Sequence, residues 1–334
     1  MSGIKSLKTL VTGGAGFIGS HLVDALISEG CFVRVLDNLS NGKFENLSQH
    51  ANNQNLEFIE GSITDNSVVA KAVENIDIVF HLACLGVRHS IKYPFENHEV
   101  NAEGTLKVLQ VARKADVSKF IYCSSSEVYG TAQYVPMTEE HPTHPATVYG
   151  ASKLAGESYT RAYHDTYGMA VTIIRPFNTY GPRSHHEGDS GELIPKSIVR
   201  AMNNEPILLF GDGAQTRDFT YVEDTARGFV AVAENNTIIG QTLNIGSNFE
   251  ITIEEVSKKI LNQLELPDGQ IKHVQKRPGD VLRLYADSSK FMEITCWASQ
   301  VSFNDGLRKT IEWFKSRPES APELLLQEKA INWE

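Results

Sequence analysis

The chain has 334 residues, enough for one large domain or two modest ones with ample core. Its 41% hydrophobic and 22% charged residues are ordinary for a globular protein, and a formal net charge of −10 argues against a nucleic-acid or anionic-membrane partner. No apolar run reaches the roughly 18 residues of a membrane helix, and a strand pattern follows Met1 too closely for a secretory leader.

In chain order, short β-branched runs at 7–12, 32–37, 56–60, 77–83, 119–124 and 170–175 alternate with helical patterns at 17–29, 66–74, 99–115 and 149–167. The most apolar stretch, Ile76 to Val87, reads as a buried strand interrupted by Asp77 and His81. The alternation predicts βαβ units with right-handed crossovers and a doubly wound parallel sheet covered on both faces. Beyond residue 178 turn clusters appear (GPRSHHEGDSG, GDGAQTRD). They predict a first domain over 1–178 with a return to its sheet within 218–250, near Leu243–Ile245, and a smaller α/β domain over 179–334. The final dozen residues are expected to be loosely held. Cys31, Cys84, Cys123 and Cys296 include no C-x-x-C pair and read as core thiols in a reducing cytoplasm.

The first strand runs into Thr12-Gly-Gly-Ala-Gly-Phe-Ile-Gly19, which opens a helix. Glycines 13, 16 and 19 permit a tight turn, close approach of a pyrophosphate and close helix–strand contact, while the helix N-terminus offers free N–H groups. The second strand ends in Asp37, near the interval expected for a carboxylate that accepts ribose hydroxyls. That carboxylate repels a 2′-phosphate, and no arginine follows it immediately, so NAD is favoured over NADP. A structural turn with a capping aspartate is the plainer alternative.

Tyr149-Gly-Ala-Ser-Lys153 puts a phenol and an ammonium one turn apart on one helix face. A nearby cation stabilises tyrosinate, so Tyr149 can take a proton from a substrate hydroxyl as hydride leaves the same carbon. Strand 119–124 ends in Ser124-Ser-Ser-Glu127, at the sheet edge where α/β ligands bind, and a serine there can bond the same hydroxyl. Helix capping is what these serines would otherwise do. His185 and His186 are adjacent rather than spaced for a metal, in a polar loop read as solvated or as a substrate cover, and no metal is expected.

These motifs, with His81-Leu-Ala83, Arg175-Pro-Phe-Asn-Thr-Tyr-Gly-Pro-Arg183 and Phe210-Gly-Asp-Gly-Ala-Gln-Thr-Arg-Asp-Phe219, resemble the extended short-chain dehydrogenase/reductase family, and within it the NAD-dependent nucleotide-sugar epimerases and dehydratases. The resemblance implies a Rossmann-type domain with tightly bound NAD and a C-terminal domain gripping a nucleotide-diphosphate sugar. It also implies a homodimer through a helix bundle that includes the Tyr149 helix. Carried over by position, Gly13, Gly16, Phe17, Ile18, Gly19, Asp37, Asn38, Leu82 and Ala83 would meet NAD. Ser62 and Ile63 would flank its adenine, where the family often has Asp before the apolar residue. Ser125 and Tyr149 would meet the reacting hydroxyl, and Lys153 the nicotinamide ribose. Arg88, Asn178, Arg183, Arg217 and Arg277 would hold the substrate, the arginines suiting phosphates by their forked donors.

The implied first step is oxidation at C4 of the sugar. A 4,6-dehydratase must then remove the C5 proton and protonate the departing C6 hydroxyl, which requires a base and an acid. Ser125-Ser126-Glu127 supplies the base where dehydratases of the dTDP-glucose type carry Thr-Asp-Glu, with Ser126 in the acid's place. The stretch Glu127-Val-Tyr-Gly-Thr-Ala-Gln-Tyr-Val-Pro136 resembles dehydratases of legionaminic-acid-type pathways. The expectation is a 4,6-dehydratase, with a 4-epimerase as the alternative if Glu127 is only a helix-starting acid. A glucuronate decarboxylase is a weaker alternative, with Arg88 or His185 meeting the carboxylate. A non-catalytic NAD(H) sensor tends to lose the Tyr or Lys, and both are retained here.

Overall fold

The computed structural model describes residues 3–333. Its strands in chain order are β1 (Lys8–Thr12), β2 (Phe32–Asp37), β3 (Leu56–Glu60), β4 (Ile78–His81), β5 (Lys119–Cys123), β6 (Val171–Pro176), β7 (Asn178–Tyr180), β8 (Ile207–Phe210), β9 (Thr216–Tyr221), β10 (Thr242–Ile245), β11 (Glu250–Thr252) and β12 (Ile271–Val274). Seven form a parallel sheet in the order β10-β6-β5-β4-β1-β2-β3. Each of the six predicted runs is in it, and β10 is the expected return. The strand order reverses direction at β1, where Thr12 lies beside both Leu36 of β2 and His81 of β4. A crevice opens at such a switch point, outside the carboxyl ends of the strands.

Both faces are covered, as uninterrupted apolar strands require. On one, the helices Phe17–Ser28 and Val222–Glu234 bury Leu22, Val23, Leu26, Phe229 and Val232 against the sheet. On the other, Asn66–Ala72, Gly104–Lys114 and Val148–Tyr167 bury Val69, Val108, Leu109 and Tyr163. A separate core holds the second lobe, where β8, β9 and β11 pack with helices Leu193–Met202, Ile253–Gln263, Phe303–Lys315 and Ala321–Gln327 around Ile198, Phe219, Ile260 and Leu307.

Several expectations are corrected. The apolar stretch after Ile76 is a strand only over β4, because the chain turns there and the Leu82 and Ala83 N–H groups bond Thr12 Oγ1. The 99–115 pattern opens with a wide π turn, Glu99–Glu103, whose Asn101 side chain holds both the N–H and the carbonyl of Leu85. Only Cys31 and Cys123 are core thiols; Cys84 is half-buried and Cys296 exposed. Of the final dozen residues, those up to 332 are tied down, since the Ser320–Glu323 capping box starts the helix and polar anchors hold the segment that follows.

Candidate active site

A cavity of 490 Å³ runs from the carboxyl ends of β1, β2 and β4, past β5 and β6, into the second lobe. At its first end Gly13 has φ +73°, and a methyl group added there would lie 2.8 Å from the Ala83 backbone. An added Cβ would stand 3.2 Å from the Gly13 carbonyl at Gly16 and 2.1 Å from it at Gly19. The turn is therefore closed to side chains and open to a phosphate, and no side chain caps the helix that begins at Phe17. Asp37, only 8% exposed, accepts the Ala15 N–H at 3.0 Å and the Leu39 N–H at 2.9 Å. Burial raises its pKa and those two bonds oppose the rise. Its remaining lone pairs are available to ribose hydroxyls, so this cradle fits a dinucleotide. Phe17, Ile18, Asn38, Ser62, Ile63, Leu82 and Ala83 line the same end of the cavity.

His81 is scaffolding. Its ring nitrogens meet Thr12 Oγ1 at 2.8 Å and Thr105 Oγ1 at 3.0 Å, and burial pushes its pKa down to about 3, so the imidazole is neutral. Thr105 donates its own proton to the Asn101 carbonyl, which leaves it accepting from His81 Nε2–H.

The helix Val148–Tyr167 starts on Thr147, whose hydroxyl accepts the Gly150 N–H. Its first turns present Tyr149 and Lys153 to the cavity. Lys153 is 2% exposed, donates to the Cys123 carbonyl at 2.9 Å, and sits 5.9 Å from the Tyr149 ring centre. Burial raises the Tyr149 pKa, while the Lys153 charge and a hydrogen bond with Ser125 pull it down. With these neighbours alone the phenol keeps its proton at neutral pH, and further positive charge is needed to release it.

The three serines divide their tasks. Ser124 donates to Glu157 at 2.6 Å and is structural. Ser125 caps the short turn Ser126–Val128 by accepting the Glu127 N–H, and Ser125, Ser126 and Glu127 all line the cavity. A buried ion pair aligns this strand end with the Tyr149 helix. Arg175 on β6 donates Nε and Nη2 to the two Glu157 oxygens, each at 2.7 Å, and Nη1 to the Tyr129 hydroxyl at 2.8 Å. Burial alone would raise the Glu157 pKa, but its bonds to Arg175 hold it below the ordinary carboxylate value.

The second-lobe end is cationic. Arg217 and Arg277 both pair with Asp280, and Arg88 faces the same space. Burial and then the repulsion of Arg277 lower Arg88 to about 10, against the pull of Glu192, Asp280 and Glu127. Asn178 also lines the cavity, and its buried Oδ1 has no partner. Arg183, expected at the substrate, lies elsewhere: at φ +65° it points to Asp24 (2.9 Å) on the outer side of the first helix and does not line the cavity. The histidine loop is packed rather than solvated, with His185 lining the cavity and His186 buried edge-on against Phe314.

Sequence reasoning missed Glu192, Lys196, Arg200, Gln215, Glu328 and Trp333, all on the cavity wall. Gln215 lay inside a motif already noted, and Lys196 and Arg200 share one face of their helix by i,i+4 spacing. No local signal marked Glu328 or Trp333.

Comparison with known proteins places this geometry in context. The family model for GDP-mannose 4,6 dehydratase matches residues 10–310. A UDP-glucose 4-epimerase of Mycolicibacterium smegmatis is 36% identical across 93% of this chain and 99% of its own. A human dTDP-D-glucose 4,6-dehydratase is 34% identical across 92% of this chain and 90% of its own. The crystal structure of DesIV, a dTDP-glucose 4,6-dehydratase from Streptomyces venezuelae with NAD bound, matches with a TM-score of 0.88 and 34% identity, covering 92% of this chain and 97% of that one.

Proposed function

The chain belongs to the GDP-mannose 4,6 dehydratase family, and we propose that it is an NAD-dependent 4,6-dehydratase acting on a nucleotide-diphosphate sugar. The glycine turn and Asp37 hold the dinucleotide, and the arginines at the opposite end hold the diphosphate. The parallel sheet and the helices that cover it, Val222–Glu234 included, form the cofactor part, and the lobe built on β8, β9 and β11 grips the substrate. When bound, NAD accepts the C4 hydride and later returns it.

Lys153, pinned by the Cys123 carbonyl, supplies one positive charge beside the Tyr149 ring, and the oxidised nicotinamide supplies the second that the phenol needs. Tyr149 then takes the C4 hydroxyl proton while Ser125 holds that hydroxyl. The new ketone acidifies C5, Glu127 removes the C5 proton and passes it to the C6 hydroxyl, which departs as water. Hydride returned to C6 and a proton to C5 complete a 4-keto-6-deoxy sugar, one water lighter than the substrate.

The observation that carries this reading is a carboxylate, Glu127, in the cavity wall two residues from Ser125 on the same short turn. The 4-epimerase reading is favoured by one different fact: the residue beside Glu127 is Ser126, not an acid able to protonate the leaving hydroxyl. Incubation with UDP-, dTDP- and GDP-sugars followed by product masses separates the two. Loss of 18 Da is expected for elimination, from the mass of the water released in the reaction above, and Glu127→Gln should abolish it. An unchanged product mass with new stereochemistry, or full activity in Glu127→Gln, overturns dehydration; loss of carbon dioxide indicates a decarboxylase.

No helix among the described residues is long and apolar enough to cross a membrane, and we assign the protein to the cytoplasm as a homodimer. Leu106 and Tyr167 are exposed on helices Gly104–Lys114 and Val148–Tyr167, where that dimer would form.

A further inference from the structure

The second-lobe end of the cavity is lined in part by a segment far from every motif. After the helix Ala321–Gln327, residues 328–333 bring Glu328, Asn332 and Trp333 into the cavity wall and are held there largely by residues 189–200. Glu328, whose side chain is 4% exposed, pairs with Lys196 at 3.2 Å and Arg200 at 3.0 Å. Lys196 Nζ also donates to the carbonyls of Lys329 (2.6 Å) and Ala330 (3.1 Å). Lys329 donates to Asp189 at 2.7 Å, and the buried Asn332 amide donates to the Gly191 carbonyl at 2.8 Å. All these partners lie between residues 189 and 200, on the loop and helix that form the cavity wall.

What the strap delivers is Trp333. It is half-buried, lines the cavity, and meets Phe210 edge to face, with ring centres 4.7 Å apart. Leu193, Leu208 and Ile253 line the same cavity. Beside the ring pair, Gln215 is 5% exposed and donates its amide N–H to the Phe210 carbonyl, leaving Oε1 without a partner. The Trp333 indole in the cavity wall next to an unmet acceptor, with phosphate-type arginines adjoining, matches a nucleobase: a π face to stack and a ring N–H to donate.

We propose that residues 328–333 are a strap latched by Glu328, and that Trp333 is the stacking wall for the nucleobase of the substrate. The assignment rests on the nucleotide-diphosphate-sugar reading above and adds to it the residue that grips the base. Stacking of this kind changes affinity by roughly 5- to 150-fold. Glu328→Gln, which keeps the shape but removes the charge opposite two cations, should weaken the same affinity in the same direction through a loosened latch.

The test uses the intact, NAD-loaded protein titrated with UDP, dTDP and GDP by calorimetry and by tryptophan fluorescence. Wild type should bind at least one of them with a change in emission. Trp333→Ala should bind it at least about fivefold more weakly, with NAD content and thermal midpoint retained. Trp333→Phe should keep most of the affinity and lose the emission change. In turnover, Trp333→Ala should raise KM with little effect on kcat. Equal affinity in wild type and Trp333→Ala overturns the strap while leaving the substrate class standing. Failure of wild type to bind any of the three overturns both. Loss of bound NAD or of the folding transition in Trp333→Ala would show a structural role and overturn the assignment.

Discussion

Glu157→Gln removes one charge from the buried pair that aligns the serine strand end with the Tyr149 helix, at almost no change in volume. Glu157 has a fully buried side chain and accepts four bonds: two from Arg175 at 2.7 Å, one from Ser124 at 2.6 Å and one from Arg161 at 3.1 Å. An amide can satisfy at most part of this set, and its NH2 would face the Arg175 guanidinium, whose side chain is itself only 5% exposed. Breaking a buried pair by removing one partner costs about 3–5 kcal/mol. With 334 residues and an unfolding entropy of about 2.1 cal/mol/K per residue, about 0.7 kcal/mol corresponds to one degree, so Tm should fall by about 4–7 °C. Because the folded pKa of Glu157 lies below its unfolded value, its contribution is full above the unfolded value and fades as pH falls through the folded one. The gap between wild type and variant should therefore narrow in acid. Calorimetric scans at pH 7 and near pH 4 measure both effects. A variant within a degree of wild type at pH 7, or a gap that ignores pH, would refute the argument. The double variant Glu157→Leu with Arg175→Met should recover part of the loss, since the stranded cation goes with its partner.

Two further outcomes follow from the active-site geometry. Gly19→Ala forces a methyl group to within 2.1 Å of the Gly13 carbonyl, so the turn must open. Bound NAD, read from the absorbance of the purified protein, should fall more than tenfold, whereas Gly3→Ala, which meets nothing within 4 Å, should retain it. Tyr149→Phe should lower kcat by roughly 10²–10⁴ through loss of the proton acceptor, with nucleoside diphosphate affinity unchanged; turnover within a few-fold of wild type would refute Tyr149 as the proton acceptor.

The sequence by itself determined what depends on neighbours along the chain. Strand and helix periods, the glycine turn, Asp37 at a strand end and Tyr149 one helical turn from Lys153 are all local patterns. Local backbone preference and one-sided burial are enough to form them. The seven-stranded sheet and the end of the cavity lined by the glycine turn and Asp37 were legible for that reason. The tertiary structure alone decided which charges share a space. Arg183 stands in a motif with Asn178, yet a left-handed backbone turn points it toward Asp24. Ser124 and Ser125 are adjacent and both reach the cavity wall, but the Ser124 hydroxyl is committed to Glu157 while the Ser125 hydroxyl caps the turn that carries Glu127. Glu328 and Trp333 show no period or motif and are more than a hundred residues from Lys196 and Phe210. Only the packing of the second lobe, which brings distant helices together, could place them on the cavity wall.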